Sequence, residues 1–509
     1  MNRPSKKYPS IPFQYHRWSR YPSAKNAGYE IADYLIGQEL ISVIKPKTII
    51  NNCIVLILNL YYAYTLDPKL WVGVSLDKNS FPPKKVPAWL KSSATTAQLT
   101  QAQNRYNKMG ITAALGEIVN TLHTLGYIEL IEGFKDKDTG YGANTKIRAR
   151  TPLTKLFHKH DFHPLIHHVS DDIETIILKD DTKDKNRVEH WIDIPFTNTA
   201  RDQLRRYRHC LEANFIDINI PGDTKGHDMV YNCDDKIVKR VWNNLRWDNG
   251  GRFYMDLQNV PRKMRSKIVF HDFQNNCLVD AVEVDYSCLH IVLLMALEGV
   301  DYQEDAYYLP HPPTIDSKLF RNYLKKILLI SINSKDRKSA IRGCIGEMNR
   351  DRGSYPAYFV RSKYIEKYLD KLIDKHKIIS KYICSGMGVK LFTWDSMISS
   401  TVIEHFINKN IPIICVHDSY IVPDNNYESE LIQVMKDAFK QSLLDFPGVK
   451  CQTATPRLDV KYSTNIEYDD KLIDRYNEWK KLLIISQADS TVGNPRQQNI
   501  LKYKAKDYW

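Results

Sequence analysis

The sequence lacks the cysteine patterns that hold zinc or build a disulfide framework. Its nine cysteines stand singly, with no two in a C-x-x-C spacing, which indicates a reducing compartment. Long hydrophobic runs are also missing, since the longest, over residues 53–64, is broken by Asn59 and is too short to span a bilayer. The N-terminus has no apolar segment typical of a signal peptide. We therefore expect a soluble, cytoplasmic protein without a membrane partner.

Acidic residues are too few to balance the basic ones. Seventy-two lysines and arginines face 59 aspartates and glutamates, which leaves a net charge of +13. Such an excess favours a polyanionic partner, most often nucleic acid, although a set of solvated lysines would produce the same sum. With 43% hydrophobic and 26% charged residues, the chain has the composition of a globular protein, and its length predicts roughly two to four domains.

The N-terminal part of the chain contains two regions. Residues 1–30 are basic, rich in proline and serine, and without a period, and we interpret them as a flexible basic arm or an unimportant tail. Residues 31–160 form a module. Its pattern predicts a buried helix over residues 53–64, a strand over residues 70–76 and a polar helix over residues 92–107.

A helix followed by a hairpin closes this module. Thr112 is expected to cap the helix and Gly126 to end it, and strands over residues 127–134 and 146–150 flank a charged, glycine-rich turn. This order of elements resembles a winged helix-turn-helix, in which the second helix enters the major groove and the wing touches phosphates. Packing against the rest of the chain or a protein partner is the alternative. The resemblance implies DNA contacts from exposed residues of the helix and the wing, namely Asn120, Thr121, Thr124, Lys146, Arg148 and Arg150.

Residues 161–245 are expected to form a helical, thumb-like connecting region. A predicted helix over residues 199–214 carries four arginines, which form either a solvated face or a track for a phosphate backbone. Residues 236–267 then hold nine basic residues and two acidic ones. Within them, the segment GGRFYMDLQNVPRKMR has paired glycines before an arginine, a pattern that allows another chain or a phosphate to approach the backbone closely.

Two aspartates stand at the ends of predicted strands. Residues 282–299, VEVDYSCLHIVLLMALEG, change from strand to helix periodicity at Asp285. Residues 411–422, IPIICVHDSYIV, place Asp418 at the tip of a hairpin. Asp285 alone could cap the following helix, but two aspartates on neighbouring strand ends can bind two divalent cations about 4 Å apart. Such a pair would activate a 3′ hydroxyl and stabilise the leaving pyrophosphate, and oxygen ligands favour Mg²⁺ or Mn²⁺.

A basic helix is predicted between the two aspartates, over residues 318–333. Arg321 and Lys325 are four residues apart and therefore share a face. Two cations on one helical face suit a triphosphate, with the arginine binding as a fork and the lysine as a point charge. A surface helix with solvated bases is the alternative, and the order of carboxylate strand, basic helix and carboxylate hairpin favours the triphosphate.

Four segments in the same order resemble the family A DNA polymerases. VDYSCLH resembles their motif A, and Arg321, Lys325 and Leu329 resemble motif B. VHDSY resembles motif C, which reads H-D-E in those enzymes and H-D-S in the related bacteriophage-type single-subunit RNA polymerases. GGRFYMDLQNVPRKMR is similar to the segment before motif A. The resemblance covers about residues 245–440. It implies an α+β, right-hand polymerase-like fold, with palm and fingers in residues 246–465, thumb-like helices before them, a winged-helix domain first and a charged tail over residues 466–509.

The resemblance also implies roles for individual residues. Asp285 and Asp418 would be the metal ligands. Arg321 and Lys325 would hold the phosphates of the incoming nucleotide, and Lys325 would also serve as a catalytic acid that protonates pyrophosphate. The implied contacts to the primer–template come from Arg252, Gln258 and His417.

Three departures from the family pattern leave the nucleotide open. His290 stands where the DNA polymerases have the glutamate that blocks a ribose 2′ hydroxyl. Asn333, one turn after Leu329 in the implied nucleotide site, replaces the motif B tyrosine. Ser419 follows the motif C aspartate, as in the RNA polymerases.

These features together predict a compact template-directed nucleotidyltransferase. It would be the replication or primer-synthesising polymerase of a plasmid, phage or other mobile element, with DNA and nucleoside triphosphates as partners inside the host cell. One alternative is a single-subunit DNA-directed RNA polymerase or primase. Another is a non-catalytic DNA-binding replication initiator on a degenerate palm.

Overall fold

The computed structural model of the protein describes the greater part of the chain. The described residues, a few isolated positions aside, are 8–19, 21–42, 45–76, 105–135, 142–162, 173–180, 186–188, 190–220, 235–312, 315–350, 355–465 and 467–488. Several expectations lie partly or wholly outside them: the start of the basic arm, most of the polar helix over residues 92–107, the turn of the predicted hairpin and the end of the charged tail.

The N-terminal module packs helices against a small sheet. Its helices are α1 (Pro22–Gly37), α2 (Pro46–Leu66), α3 (Ala114–Thr124) and α4 (Thr151–Lys159). Its strands are β1 (Ser10–Pro12), β2 (Arg17–Trp18), β3 (Trp71–Val74), β4 (Ile128–Ile131), β5 (Phe134–Lys135), β6 (Gly142–Ala143) and β7 (Thr145–Ala149). The sheet has the order β1-β3-β7-β4, and β4 and β7 are the two strands of the predicted hairpin. The apolar residues Leu115, Ile118, Val119 and Leu122 of α3 are buried in a core that this module does not share with the rest of the chain.

The helix α2 has the length and composition of a membrane-crossing segment, and it is the one such helix in the described residues. Of its most apolar window, 72% is buried inside the protein. The polar residue in its middle, Asn59, is also satisfied there, because its amide donates to the carbonyl oxygens of Val55 at 2.8 Å and Gln14 at 3.0 Å. Burial and internal hydrogen bonding are what a core helix requires.

The remainder of the chain forms two further sheets and a set of helices. The helices are α5 (Pro195–Glu212), α6 (Arg262–Arg265), α7 (Leu289–Leu297), α8 (Ser317–Asn333), α9 (Arg337–Arg350), α10 (Ser362–Lys375), α11 (Gly388–Asn408), α12 (Tyr427–Asp445) and α13 (Asp470–Ala488), with 3-10 turns at Asp256–Asn259 and Lys377–Tyr382. The strands are β8 (His168–Val169), β9 (Ile176–Asp180), β10 (Asn186–Arg187), β11 (Ile216–Ile218), β12 (Lys239–Trp242), β13 (Gly250–Tyr254), β14 (Ile268–Asp272), β15 (Cys277–Tyr286), β16 (Ile414–Val416), β17 (Ser419–Pro423) and β18 (Leu458–Tyr462).

The strand β15 is the centre of the largest sheet. The order of this sheet is β11-β14-β15-β17-β16, and β18 also pairs with β15. The helix α12 packs on β15 and β17, and α11 packs between α12 and β13. A second sheet has the order β10-β9-β12-β13. The helices α8, α9 and α10 pack on one another, and their buried apolar residues belong to the same core as the two sheets. The fold is therefore mixed, with helices and sheets, as the sequence predicts.

The expectation of a helical region over residues 161–245 is wrong. The described part holds one long helix, α5. Its strands join both large sheets, and apolar residues on these strands, such as Ile176 and Trp242, are buried in the main core. The arginines of α5 are occupied within the protein. Arg201 pairs with Glu174 at 3.0 Å, and Arg206 pairs with Glu404 at 2.8 Å. Arg201 and Arg206 are thus held by acidic side chains of other segments, and are not free to track phosphates.

Candidate active site

Asp285 and Asp418 lie side by side at one end of the central sheet. Asp285 is opposite Ser419 in the antiparallel pairing of β15 and β17. The backbone N–H of Tyr286 donates to the carbonyl oxygen of Asp418 at 3.1 Å. His417 has a positive φ of 59° and closes the tight turn between β16 and β17. The hairpin and the neighbouring strand ends are therefore as predicted, whereas the ligand roles of the two aspartates stay predictions.

Asp285 is not the cap of the following helix. The N-cap of α7 is Cys288, which has a left-handed backbone with φ 58° and no side-chain capping bond. Asp285 instead accepts a hydrogen bond from Lys461 Nζ at 3.0 Å. The alternative of a helix cap, which the sequence left open, is thereby excluded.

The surroundings of Asp418 are rich in negative charge. Burial raises the pKa of the Asp418 carboxyl, the nearby Asp395 and Asp285 raise this pKa further, and Arg252 opposes the increase. Arg252 pairs with Asp395 and Lys461 with Asp285, so the three carboxylates outnumber the two nearby cations and a further cation would neutralise the excess. No group of three or more His, Cys, Asp or Glu side chains is arranged for a metal in the described residues. Asp285 and Asp418 nevertheless fit Mg²⁺, because this ion keeps several waters and binds through one or two carboxylates plus substrate phosphates.

A second acidic residue, Glu283, shares the face of β15 with Asp285. Ser419 Oγ donates to Glu283 at 2.7 Å, and Arg265 and Lys461 approach the same carboxylate at 3.3 Å and 3.5 Å. Burial raises the pKa of Glu283, but the hydrogen bond from Ser419 and the two cations outweigh it, so the pKa is lowered overall. Glu283 is thus already neutralised within the protein.

The buried ion pair between Arg252 and Asp395 was not predicted from the sequence. Arg252 Nε donates to Asp395 Oδ2 at 2.6 Å, and its guanidinium lies 3.9 Å from the centre of the Phe392 ring. The Asp395 side chain is 1% exposed and that of Arg252 is 15% exposed. The second carboxylate oxygen of Asp395 has no hydrogen-bond partner among the described residues. No local pattern in the sequence marks Asp395 as the partner of Arg252, because the two residues are 143 positions apart.

His290 belongs to this buried pair rather than to an open pocket. It is buried, and its Nε2 lies 3.2 Å from Arg252 Nη2. Burial, together with the charge of Arg252, lowers the pKa of His290 to about 4. The imidazole is therefore neutral near pH 7 and accepts the hydrogen bond from Arg252.

The basic residues of α8 pack around Asp305 and Tyr307. Arg321 makes two hydrogen bonds with Asp305, at 2.7 Å and 2.9 Å. The cations of Arg321 and Lys325 lie 5.2 Å and 5.7 Å from the centre of the Tyr307 ring. Burial, with Cys288 and Asp418 nearby, raises the pKa of Tyr307. Tyr307 thus connects the predicted phosphate-binding face with the aspartates.

Leu329 and Asn333 lie further along α8. The Asn333 amide donates to the carbonyl oxygen of Leu329 at 2.7 Å, and Asn333 packs against Gly388 at the start of α11. No contact in the described residues connects either side chain to Asp285 or Asp418. Their predicted role in nucleotide binding stays a prediction.

The residues predicted to contact a primer–template differ in their accessibility. His417 is exposed, 6.1 Å from the Tyr254 ring. The Gln258 amide is used internally, because it donates to the carbonyl oxygens of Phe253 at 2.9 Å and Cys415 at 2.7 Å. Arg252 is committed to its ion pair. Of the three, His417 is the one open to a strand of nucleic acid.

The close approach predicted at the paired glycines is made by the protein itself. Gly251 has φ +87°, and a Cβ at this position would lie 2.9 Å from Trp242 Nε1 and 3.0 Å from Ser396 Oγ. The hydroxyl of Ser396 also donates to the carbonyl oxygen of Gly250 at 3.0 Å. The glycines therefore allow β13 to pack on α11, which positions Arg252 beside Asp395.

The predicted DNA-binding residues of the N-terminal module are exposed only in part. Asn120 and Thr124 are exposed and Thr121 is half-buried. Lys146 was expected to be exposed and is not. Its strand β7 lies inside the sheet, and the ammonium donates to the carbonyl oxygen of Tyr8. Arg148, on the same strand, pairs with Glu129. Arg150 follows the strand, and its side chain is 52% exposed.

Comparisons with known proteins add little to this geometry. No protein-family model matches the chain, and no curated protein matches it. A solved structure to which it is similar is the POL domain of Pol1 from M. smegmatis in complex with DNA primer-template and dNTP. The similarity covers 87% of this chain and 80% of that chain, at 14% identity and a TM-score of 0.26. At that TM-score the likeness carries no argument, and the function has to be argued from the residues.

Proposed function

We propose that this protein is a template-directed nucleotidyltransferase of the DNA-polymerase type that uses Mg²⁺ or Mn²⁺. The observation that carries the proposal is the position of Asp285 and Asp418 on adjoining strand ends. The basic face of α8 adds to it, because Lys325 packs near Tyr307, which is also influenced by the charge of Asp418. In this reading the central sheet is the palm, the group α8, α9 and α10 is the fingers, and the N-terminal module is a winged-helix domain that binds duplex DNA.

The residues around the two aspartates have distinct roles in the proposed chemistry. Bound divalent cations would activate a primer 3′ hydroxyl and neutralise charge on the leaving pyrophosphate. Asp285 and Asp418 hold them. Lys325 is exposed and binds the triphosphate, and it donates a proton to pyrophosphate. Arg321 keeps one amino group free of Asp305 and adds a second phosphate contact.

The buried pair of Arg252 and Asp395 serves this chemistry indirectly. It joins β13 to α11 and, through His290, to α7, which follows the strand of Asp285. In the proposal these contacts keep the surroundings of the aspartates at a constant spacing. Constant spacing matters because misplacement of reacting groups by about 1 Å can cost on the order of a hundredfold in rate. Arg252 and His290 therefore act as positioning residues in the proposal.

Incorporation of labelled nucleotides on a primed DNA template, with Mg²⁺ and with dNTPs and rNTPs in parallel, tests the proposal. Asp285→Asn and Asp418→Asn should each abolish incorporation. Asp437→Asn, on the exposed face of α12, is the matched control and should retain it. Absence of incorporation by the wild type with either nucleotide set, or unchanged incorporation by both variants, would refute it.

A single-subunit RNA polymerase or primase is the second candidate. Ser419 after Asp418 favours it, since this serine is engaged with Glu283 and supplies no further carboxylate. Unprimed synthesis from rNTPs on duplex DNA would support this candidate. Specific duplex binding that survives both asparagine substitutions, without synthesis, would instead establish a non-catalytic initiator. For all three we propose a site of action inside the cell.

A further inference from the structure

Lys461 occupies a position beside the predicted cation site. It lies on β18, which pairs with β15. In this pairing Lys461 is opposite Glu283, and Asp459 is opposite Asp285. Its ammonium is 3.0 Å from Asp285 Oδ2 and 3.5 Å from Glu283 Oε1. Residues paired in an antiparallel sheet project to the same side, so these four charged groups share one face.

Of the two acids, Glu283 does not depend on Lys461. Arg265 and Ser419 already contact the Glu283 carboxylate. Asp285 has no other hydrogen-bond or ion-pair partner in the described residues. Lys461 therefore neutralises the same carboxylate that a divalent cation would need.

We propose that Lys461 is a built-in competitor for the divalent cation at Asp285, holding this carboxylate while the cation is absent and withdrawing when it binds. The inference rests on the proposed function, because that function assigns Asp285 to a cation. Withdrawal is sterically simple. The side chains of Lys461 and Asp285 are 25% and 30% exposed, and the long lysine stem can rotate towards solvent.

Asp459 offers the withdrawn ammonium another partner. It is exposed, two residues before Lys461 on the same strand, and therefore on the same face. If Lys461 moved from Asp285 to Asp459 when the cation binds, its charge would be compensated both with and without the cation. Lys461 is then a positioning residue that sets the affinity of the site for its cation.

Mn²⁺ binding, measured from the electron paramagnetic resonance of free Mn²⁺ without nucleotide or DNA, tests the proposal. Lys461→Met should bind Mn²⁺ about fivefold more tightly than the wild type, the equivalent of one partly exposed ion pair of about 1 kcal/mol. Lys461→Gln, which also lacks the charge, should behave alike, and Lys461→Arg should stay close to the wild type. Lys450→Met, which removes a surface pair with Glu298, should leave the affinity unchanged.

The outcomes separate this proposal from the proposed function. Equal or weaker Mn²⁺ binding by both Lys461→Met and Lys461→Gln would overturn the competition, even if nucleotide incorporation is normal. Tighter binding by these variants without any incorporation would support the competition and count against the polymerase. No Mn²⁺ binding by the wild type, or binding that Asp285→Asn does not weaken, would overturn the inference together with the cation site.

Discussion

Replacement of Arg252 by methionine should destabilise the protein strongly. The change leaves Asp395 as a buried carboxylate without a cation, since its only described ion pair is with Arg252. Breaking a buried pair from one side typically costs about 3–5 kcal/mol, because the remaining charge has lost both water and its partner. Arg252 is 15% exposed, so we expect a loss of about 3 kcal/mol in the free energy of unfolding, at the lower end of that range.

Removal of the other partner, Asp395, should lower the free energy of unfolding by a smaller amount. Asp395→Asn leaves a cation that still contacts His290 and the face of Phe392, so a loss of about 1–2 kcal/mol is expected. The double variant should lose less than the sum of the two single variants, with a coupling energy of about 2 kcal/mol. Arg321→Met is the matched control. Its pair with Asp305 is 42% and 33% exposed, and exposed pairs contribute about 1 kcal/mol or less.

Urea unfolding followed by tryptophan fluorescence measures these differences. Trp394 precedes Asp395, is fully buried and stacks on Phe446 with ring centres 4.0 Å apart, so its emission reports on this part of the core. Unchanged slopes with shifted midpoints would identify a true loss of stability. A loss below about 1 kcal/mol for Arg252→Met, or strictly additive losses in the double variant, would refute the buried pair as described.

Three further predictions follow from the geometry. The pKa of His290 is lowered to about 4 in the folded protein and would be near 6.5 in the unfolded chain. The stability contributed by the neutral imidazole should therefore be fully present above about pH 6.5 and decline as the pH falls towards 4. In urea unfolding, the midpoint of His290→Gln should lack this part of the decline. Arg150→Ala should reduce the salt dependence of duplex DNA binding by about one phosphate contact in fluorescence anisotropy, whereas Lys146→Met, at a buried position, should leave it unchanged. Gly251→Ala should cost about 2 kcal/mol because of its φ of +87° and a Cβ 2.9 Å from an indole nitrogen. Gly346→Ala, with nothing within 4 Å in α9, should instead stabilise the protein by about 0.5–1 kcal/mol in the same unfolding assay.

Elements with a strong local period were predicted well. The helix α8 was expected over residues 318–333 and spans Ser317–Asn333, because its apolar residues recur at helical spacing after a capping aspartate. The strand that ends near Asp285 and the hairpin at Asp418 were also predicted. In the strand and in the hairpin, the apolar pattern stops at a turn. Such a pattern depends only on consecutive residues and can therefore be recognised in the sequence.

The sequence could not reveal a residue's partner or its burial where the contacting segment lies far away in the chain. Arg252 carries the same charge whether it contacts DNA or Asp395, and its partner is 143 positions away. Lys146 looked exposed because lysine usually is, but β7 became an inner strand once β3 paired with it. Arg201 and Arg206 of α5 were ambiguous for the same reason, since their acidic partners Glu174 and Glu404 come from other segments.

The sequence by itself determined the secondary structure around the site, the order of carboxylate strand, basic helix and carboxylate hairpin, and the basic character of the chain. Only the tertiary structure decided which charges remain available. It committed Arg252 to Asp395, Arg321 to Asp305 and Lys461 to Asp285, and it left Lys325 and His417 exposed. The physical reason is that periodicity is local, whereas the neutralisation of a charge depends on whichever groups the folded chain places within a few ångströms of it.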